Sequence, residues 1–503
     1  MTGRLSAAVL LLGLTLACHR TPAPATPAPP PPPPSSARTH IDALRTRVND
    51  LLADPAVAAG TWGVSVRSLS THEPLVEVNA HRLLTPASTL KTITLAVTAD
   101  QLGWDHAFET RVVSTGTISN GVLYGDLVVI GSGDPSFDDW DGTASAVFGS
   151  WAMRLRELGV TMIGGRIIGD DRVFSGDGYG AGWMWDDMAE SYSAPASGLQ
   201  FNQGTAQIVV SPGASVGAPA VLTFTPPFAR VTVVNRAATV ASGDATRVVA
   251  KPQAGAPGTI VSGTVATDAV PQKRNVAVAN PTLYYATALY ESLQGRGIQV
   301  TGGPVDVDDL PNPPAIASAT PLLVHRSPAL PSLADTLMKL SQNLYAETFL
   351  RTLGRQQGEQ GTASAGIAVV KRVLDGWGVS TQELVMADGS GLSRYNLVTP
   401  ALVVSVLEHV YADDRLRAPY VASLPIAGQA GTLAARMKGT AAEGRVQAKT
   451  GSFTNARAIA GFVRTADGEV LAFDIMANNY GVPAAEVDRV TDAVVIALAE
   501  FRR

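Results

Sequence analysis

The chain has 503 residues, 46% of them hydrophobic and 16% charged, with a net charge of -5. That length exceeds one simple core and calls for a catalytic-sized body plus at least one further domain, and the composition is that of a packed globular protein. The weakly acidic balance gives no electrostatic reason to expect a nucleic-acid partner.

A short positive start at Arg4, an apolar run over residues 7–16 too short to span a bilayer, and Ala17-Cys18 read as an export signal over residues 1–18. Cys18 is the only cysteine, so no intrachain disulfide can form. Residues 14–18 (Leu-Thr-Leu-Ala-Cys) resemble a bacterial lipobox, in which the cysteine is lipidated and becomes the mature N-terminus; ordinary signal cleavage nearby, with Cys18 discarded, is the alternative. Residues 19–38 form a Pro-rich tether with unbroken proline from Pro29 to Pro34, a polyproline II spacer or a tail without function. His19 supplies no aspartate for inner-membrane retention, which favours the outer membrane where a cell has one.

Folded sequence begins near His40, where Ile41, Leu44, Val48 and Leu51 recur at helical spacing. Residues 61–69 and 74–79 alternate as two strands. Residues 85–93 (Thr-Pro-Ala-Ser-Thr-Leu-Lys-Thr-Ile) then read as a helix start, with Pro86 in its first turn and Ser88 and Lys91 three residues apart on one face. Lysine is scarce, with seven in the chain, and a lysine held out of water can lose its proton and serve as a base for the hydroxyl.

Across residues 104–272 the texture changes to short Val-, Ile-, Thr- and Gly-rich runs separated by turn residues, a β-rich insertion expected to form two small domains. Asn280-Pro281 looks like the cap of a helix reaching about Leu293, where the chain is expected to re-enter the body. Helical segments at 333–340 and 344–353 flank Ser341-Gln342-Asn343, and further helices follow at 363–374 and 401–411. Residues 445–450 read as a strand carrying Lys449-Thr450-Gly451, followed by a hairpin on Asp467-Gly468 and an amphipathic helix over 487–501. The body is therefore residues 39–103 with 273–503.

Alone, each motif is usually structural: Ser-x-x-Lys a helix surface, Ser-x-Asn a turn, Lys-Thr-Gly a strand end. The ordered triplet, placed on a helix start, a helix break and a strand, points to acyl transfer. Ser88 is then the nucleophile and Lys91 its base; Ser341 relays a proton to a departing amine, and Asn343 orients Lys91 and a substrate amide. Lys449 and Thr450 suit a substrate carboxylate, Gly451 lets a substrate backbone lie along the strand edge, and the N–H groups of Ser88 and Ser452 are the expected oxyanion donors. The seven histidines lack metal-ligand spacing and no Gly-rich phosphate loop follows a strand, so neither metal nor cofactor is expected.

With these residues the chain resembles the class C low-molecular-mass penicillin-binding proteins, D-alanyl-D-alanine carboxypeptidases that often also act as endopeptidases. The resemblance covers residues 43–503 and extends to 131–135 (Gly-Ser-Gly-Asp-Pro), 183–187 (Trp-Met-Trp-Asp-Asp), 193–195 (Ser-Ala-Pro) and 388–394 (Asp-Gly-Ser-Gly-Leu-Ser-Arg). It implies an α/β (α+β) penicillin-recognising, β-lactamase/transpeptidase-like body, with an antiparallel sheet flanked by helices and β-rich inserted domains. It further implies acylation of Ser88 by peptidoglycan stem peptides and by β-lactams, outside the cytoplasm. Trp185, Asp187, Tyr192, Arg394 and Phe453 match regions that line a pocket for the peptide side chain; packing at the domain junction is their other reading. Two competing functions are a β-lactamase, disfavoured by the long insertion, and a non-catalytic peptidoglycan-binding lipoprotein, disfavoured by the intact triplet.

Overall fold

The computed structural model describes residues 36–503 apart from 230, 256–257, 317–318, 320 and 357–360. The expected export signal, Cys18 and most of the Pro-rich tether lie outside the described residues. The tether was expected to reach residue 38, but the first helix, Ser36–Leu52, begins inside it.

The body is built on a five-stranded antiparallel sheet in which Pro74–Val78, Thr61–Ser68, Val470–Asn478, Ala456–Arg464 and Val446–Phe453 are neighbours in that order. Two N-terminal strands thus pair with three C-terminal ones, and Thr61 lies opposite Asn478. Ile41, Leu44 and Val48 recur at one face of the first helix, Val487, Val490, Val494 and Leu498 at one face of Ala484–Glu500, and both stripes pack on the same side of the sheet. Each such side chain, fully buried, contributes about 1.5–3 kcal/mol. On the other side the sheet presents Ala458, Ala460 and Ala472, small residues that let helices come close.

Lys91–Leu102 lies at the centre of that second layer, buried from Lys91 through Ala99, with Leu330–Lys339, Asn343–Gln356, Ala363–Gly376, Pro400–Ala412 and Asp414–Ser423 around it. Pro400–Ala412 is capped by Thr399, whose side chain accepts from the Leu402 N–H, with Pro400 in the first turn.

The insertion extends further than its β texture suggests. Its first strand, Glu109–Ser114, pairs antiparallel with Leu323–Arg326, with Val112 opposite Leu323, so the inserted chain closes on itself near residue 327 and not at 272. Asn280 does cap Pro281–Gly295, accepting from the Leu283 N–H. That helix nevertheless stays in the insertion, because its apolar face of Tyr284, Tyr285, Leu289 and Leu293 shares a core with Phe148, Trp151 and Ile167. An amphipathic helix is placed by whichever apolar surface receives its stripe, and here the strands Ile167–Asp170 and Pro304–Asp306 receive it. A second cluster packs Ile208, Val210 and Val276 of one three-stranded sheet against Ala237, Val248, Val261 and Val265 of another. Between these units the chain from 171 to 204 runs back over the body.

Candidate active site

Pro86 and the one-turn 3-10 helix Ala87–Leu90 lead directly into Lys91–Leu102. Ala87 has φ 47°, a left-handed conformation that costs a non-glycine residue about 1–3 kcal/mol and must be enforced from outside. Two glycines enforce it. A Cβ at Gly391 would stand 1.9 Å from the Ala87 carbonyl oxygen, and one at Gly451 would stand 2.6 Å from the Pro86 oxygen and 3.1 Å from the Ser88 nitrogen. The turn is clamped between the loop after Asp388 and the edge strand Val446–Phe453. Gly451 therefore lacks a side chain because the nucleophile turn packs on it, a reason distinct from the substrate approach expected above.

Lys91 is fully buried, and its Nζ lies 2.9 Å from Ser88 Oγ, 2.7 Å from Asn343 Oδ1 and 2.7 Å from the Ser390 carbonyl oxygen. Burial is the main influence on this amine and lowers its pKa to about 7, against the opposing pull of Asp388 and Glu347. Near neutral pH it can therefore shed a proton and accept one from Ser88. Ser341 sits in the break between two helices with φ 59°, and Lys449 Nζ donates to its Oγ at 2.8 Å and to the Thr450 carbonyl at 2.6 Å. Lys449 is also fully buried, and burial followed by the charge of Lys91 pushes its pKa well down. Asn343 spends its amide N–H on the Tyr192 carbonyl at 2.8 Å, which turns its Oδ1 to Lys91.

A cleft of about 690 Å³ opens over these groups. Ser88, Ser341, Asn343, Thr450 and Ser452 line it from the body, with Lys91 and Lys449 beneath. Val446–Phe453 is an edge strand, and Val446 and Ala448 turn their main-chain groups outward to Ala427 and Pro425. The two-residue alternation carries the same outward orientation to Thr450 and Ser452, past the point where residues 425–427 cover the edge. That leaves main-chain donors aimed at the cleft. The Thr450 hydroxyl meets Thr432 at 2.7 Å.

Asp187, Tyr192, Arg394 and Phe453 line the same cleft. Tyr192 donates to Asp187 at 2.8 Å, and the Arg394 guanidinium lies 5.2 Å from the centre of the Phe453 ring. Trp185 does not join them. It is 62% exposed and borders a separate cavity of about 560 Å³ with Met188, Phe228 and Tyr284. Trp185–Asp187 is one 3-10 turn, whose successive side chains diverge by about 120°, so Asp187 faces the cleft while Trp185 points elsewhere.

Several residues at the site lie outside the three motifs, Asp388 and Ser390 among them in the 388–394 stretch quoted above. Ser390 contributes only a carbonyl, which no side-chain pattern announces. Asp388 organises the loop, accepting from Gly391 N–H at 2.8 Å, Ser393 N–H at 2.5 Å, Asn396 Nδ2 at 2.7 Å and the indole N–H of Trp183 at 2.9 Å. Thr432 and Arg457 also line the cleft. The available signal was the density of Gly and Ser around Asp388, which marks a tight, side-chain-poor approach.

A model of the D-Ala-D-Ala carboxypeptidase 3 (S13) family matches residues 44–501. A D-alanyl-D-alanine carboxypeptidase of Actinomadura sp. (strain R39) is 34% identical over 471 residues, which span 91% of this chain and 85% of that protein. The crystal structure of penicillin binding protein 4 from Haemophilus influenzae superposes with a TM-score of 0.78 at 26% identity, covering 90% of this chain and 99% of that one. The same protein complexed with a β-lactam gives 0.74 at 25% identity, covering 90% and 99%.

Proposed function

The chain belongs to the D-Ala-D-Ala carboxypeptidase 3 (S13) family, and from that premise we propose how its residues divide the work of a penicillin-binding serine hydrolase. The observation that carries the proposal is the buried Lys91 amine 2.9 Å from Ser88 Oγ. Neutral Lys91 takes the Ser88 proton as Oγ attacks the carbonyl carbon of the penultimate D-alanine. The oxyanion is met by the Ser88 and Ser452 N–H groups. Collapse breaks the C–N bond, and Ser341, hydrogen-bonded to Lys449, relays to the departing D-alanine amine the proton that Lys91 took up, which leaves Lys91 neutral again. Water then attacks the ester, returning its proton through Lys91, and releases the shortened peptide and free Ser88.

Lys449, Thr450 and Thr432 receive the terminal carboxylate. Asp187 and Tyr192 on one wall, Arg394 and Phe453 on the other, receive the side chain of the preceding residue. A β-lactam acylates the same serine, but its leaving amine stays attached to the acyl group. Such a peptidase acts outside the cytoplasm. Among the described residues no helix is long and apolar enough to cross a membrane. Lipidation of Cys18 and the Pro-rich tether would hold the body off a membrane, the outer one where present; a Cys18→Ser chain released into the soluble fraction supports this, and one still membrane-bound and normally processed refutes it.

The test is to supply a stem pentapeptide ending in D-Ala-D-Ala and a cross-linked peptide dimer, and to follow products by mass. Release of D-alanine by the parent and not by Ser88→Ala supports the assignment, and cleavage of the dimer adds endopeptidase action. Equal release by both proteins refutes it.

A further inference from the structure

Glu347 lies one turn beyond Asn343 on a helix buried from Asn343 through Gly354, and is itself 1% exposed. Its carboxylate meets main-chain donors of the neighbouring loop: Gly389 N–H at 3.0 Å from Oε1 and 3.2 Å from Oε2, and Ser390 N–H at 2.8 Å from Oε1. Ser390 is thus held at both ends of its main chain, N–H on Glu347 and carbonyl on Lys91 Nζ at 2.7 Å. Thr94, one turn beyond Lys91, ties the same loop by donating to the Gly389 carbonyl at 2.7 Å.

We propose that Glu347 is a positioning residue for Lys91: its carboxylate fixes the Gly389-Ser390 backbone so that the Ser390 carbonyl meets Nζ, and its charge acts on the amine across that backbone. This rests on the assignment of Lys91 as the base. The charged groups facing Lys91 are Asp388, Glu347 and Lys449; those facing Glu347 are Asp388 and, on its own helix, Arg351, which Asp177 faces in turn. Burial and Asp388 raise the Glu347 pKa, while the loop N–H donors favour the carboxylate form. A negative Glu347 stabilises the Lys91 ammonium, so removing the charge lets Lys91 shed its proton at lower pH.

The experiment measures the labelling rate of the full-length protein by a fluorescent penicillin from pH 5 to 9, for the parent, Glu347→Gln, Glu347→Asp and Lys91→Ala. Glu347→Gln keeps the shape with one oxygen. Its rising acid limb should move to lower pH, by less than about one unit because the Glu347 carboxyl, raised to about 7, carries only part of its charge there, and its plateau should fall about tenfold as the loop loosens. Glu347→Asp keeps the charge but reaches a methylene less far, so its plateau should fall about tenfold with the limb nearer the parental position. A folded Glu347→Gln with an unmoved limb overturns the proposal; if that variant does not fold, a Glu347→Asp rate equal to the parent's overturns it. Rapid labelling of Lys91→Ala would instead overturn the base assignment itself.

Discussion

Replacing Gly451 by alanine adds one methyl group in contact with the nucleophile turn. The new Cβ would stand 2.6 Å from the Pro86 carbonyl oxygen and 3.1 Å from the main-chain nitrogens of Ser88 and Thr89, where contacts under 3.0 Å are essentially never occupied. Every atom it meets is backbone, so no rotamer change relieves the clash. Strand and turn must part by some tenths of an ångström. Overpacking of this kind costs about 1–3 kcal/mol of stability. Since a misplacement of about 1 Å can cost 10²-fold in rate, the smaller shift should slow acylation by about tenfold or more. The assay is the labelling rate with a fluorescent penicillin, beside the thermal midpoint followed by near-UV circular dichroism. Gly376→Ala is the control, since a Cβ there meets nothing within 4 Å. Gly451→Ala labelled at the parental rate, with the parental midpoint, would refute the claim that this contact sets the position of Ser88.

The base assignment fixes a pH profile. With the Lys91 pKa near 7, the protonated amine dominates below it, so acylation should climb about tenfold per unit up to that value and then level. Lys91→Arg, which stays protonated, should lose acylation; a parental rate that is flat from pH 5 to 8 would contradict the assignment. Asp474, fully buried and with no hydrogen-bond partner among the described residues for either carboxylate oxygen, has its pKa pushed well up by burial. A raised folded-state pKa stabilises the fold most below the ordinary carboxylate value, and that stability drains as pH rises toward the folded value, by up to about 1.4 kcal/mol per unit. Asp474→Asn does not titrate, so its thermal midpoint relative to the parent should improve from pH 5 to 8. A difference independent of pH would refute the reading.

Much of the fold is legible because its elements satisfy one strong period each. The 41–51 and 487–501 stripes, the strands read at 61–69 and 74–79 and the Asp467-Gly468 turn all reappear where the pattern places them, although Thr61–Ser68, a central strand, is buried on both faces and does not alternate. The Pro281–Gly295 helix shows the limit: its start and type are written in Asn280-Pro281, but its partner is not, since an apolar stripe fits any apolar surface. The site divides the same way. Ser88, Lys91, Ser341, Asn343 and Lys449 carry their groups on side chains at fixed spacing, and those side chains meet at one cleft. Ser390 meets Lys91 through its main chain, Glu347 meets a loop 42 residues away, and Trp185 turns away because two residues of one 3-10 turn, about 240°, separate it from Asp187. Asn343–Gln356 is buried through Gly354 although it carries Glu347 and Arg351, a pair whose four-residue spacing ordinarily marks a solvated face, so that burial was not legible in the sequence.

The most direct measurement incubates the purified protein with a fluorescent penicillin beside Ser88→Ala and follows the adduct over time by gel and intact mass. The account predicts one stable adduct on the parent, mapped to the peptide containing Ser88, and none on the variant. Labelling of Ser88→Ala at the parental rate, or rapid catalytic turnover of the drug by the parent without a lasting adduct, would contradict it.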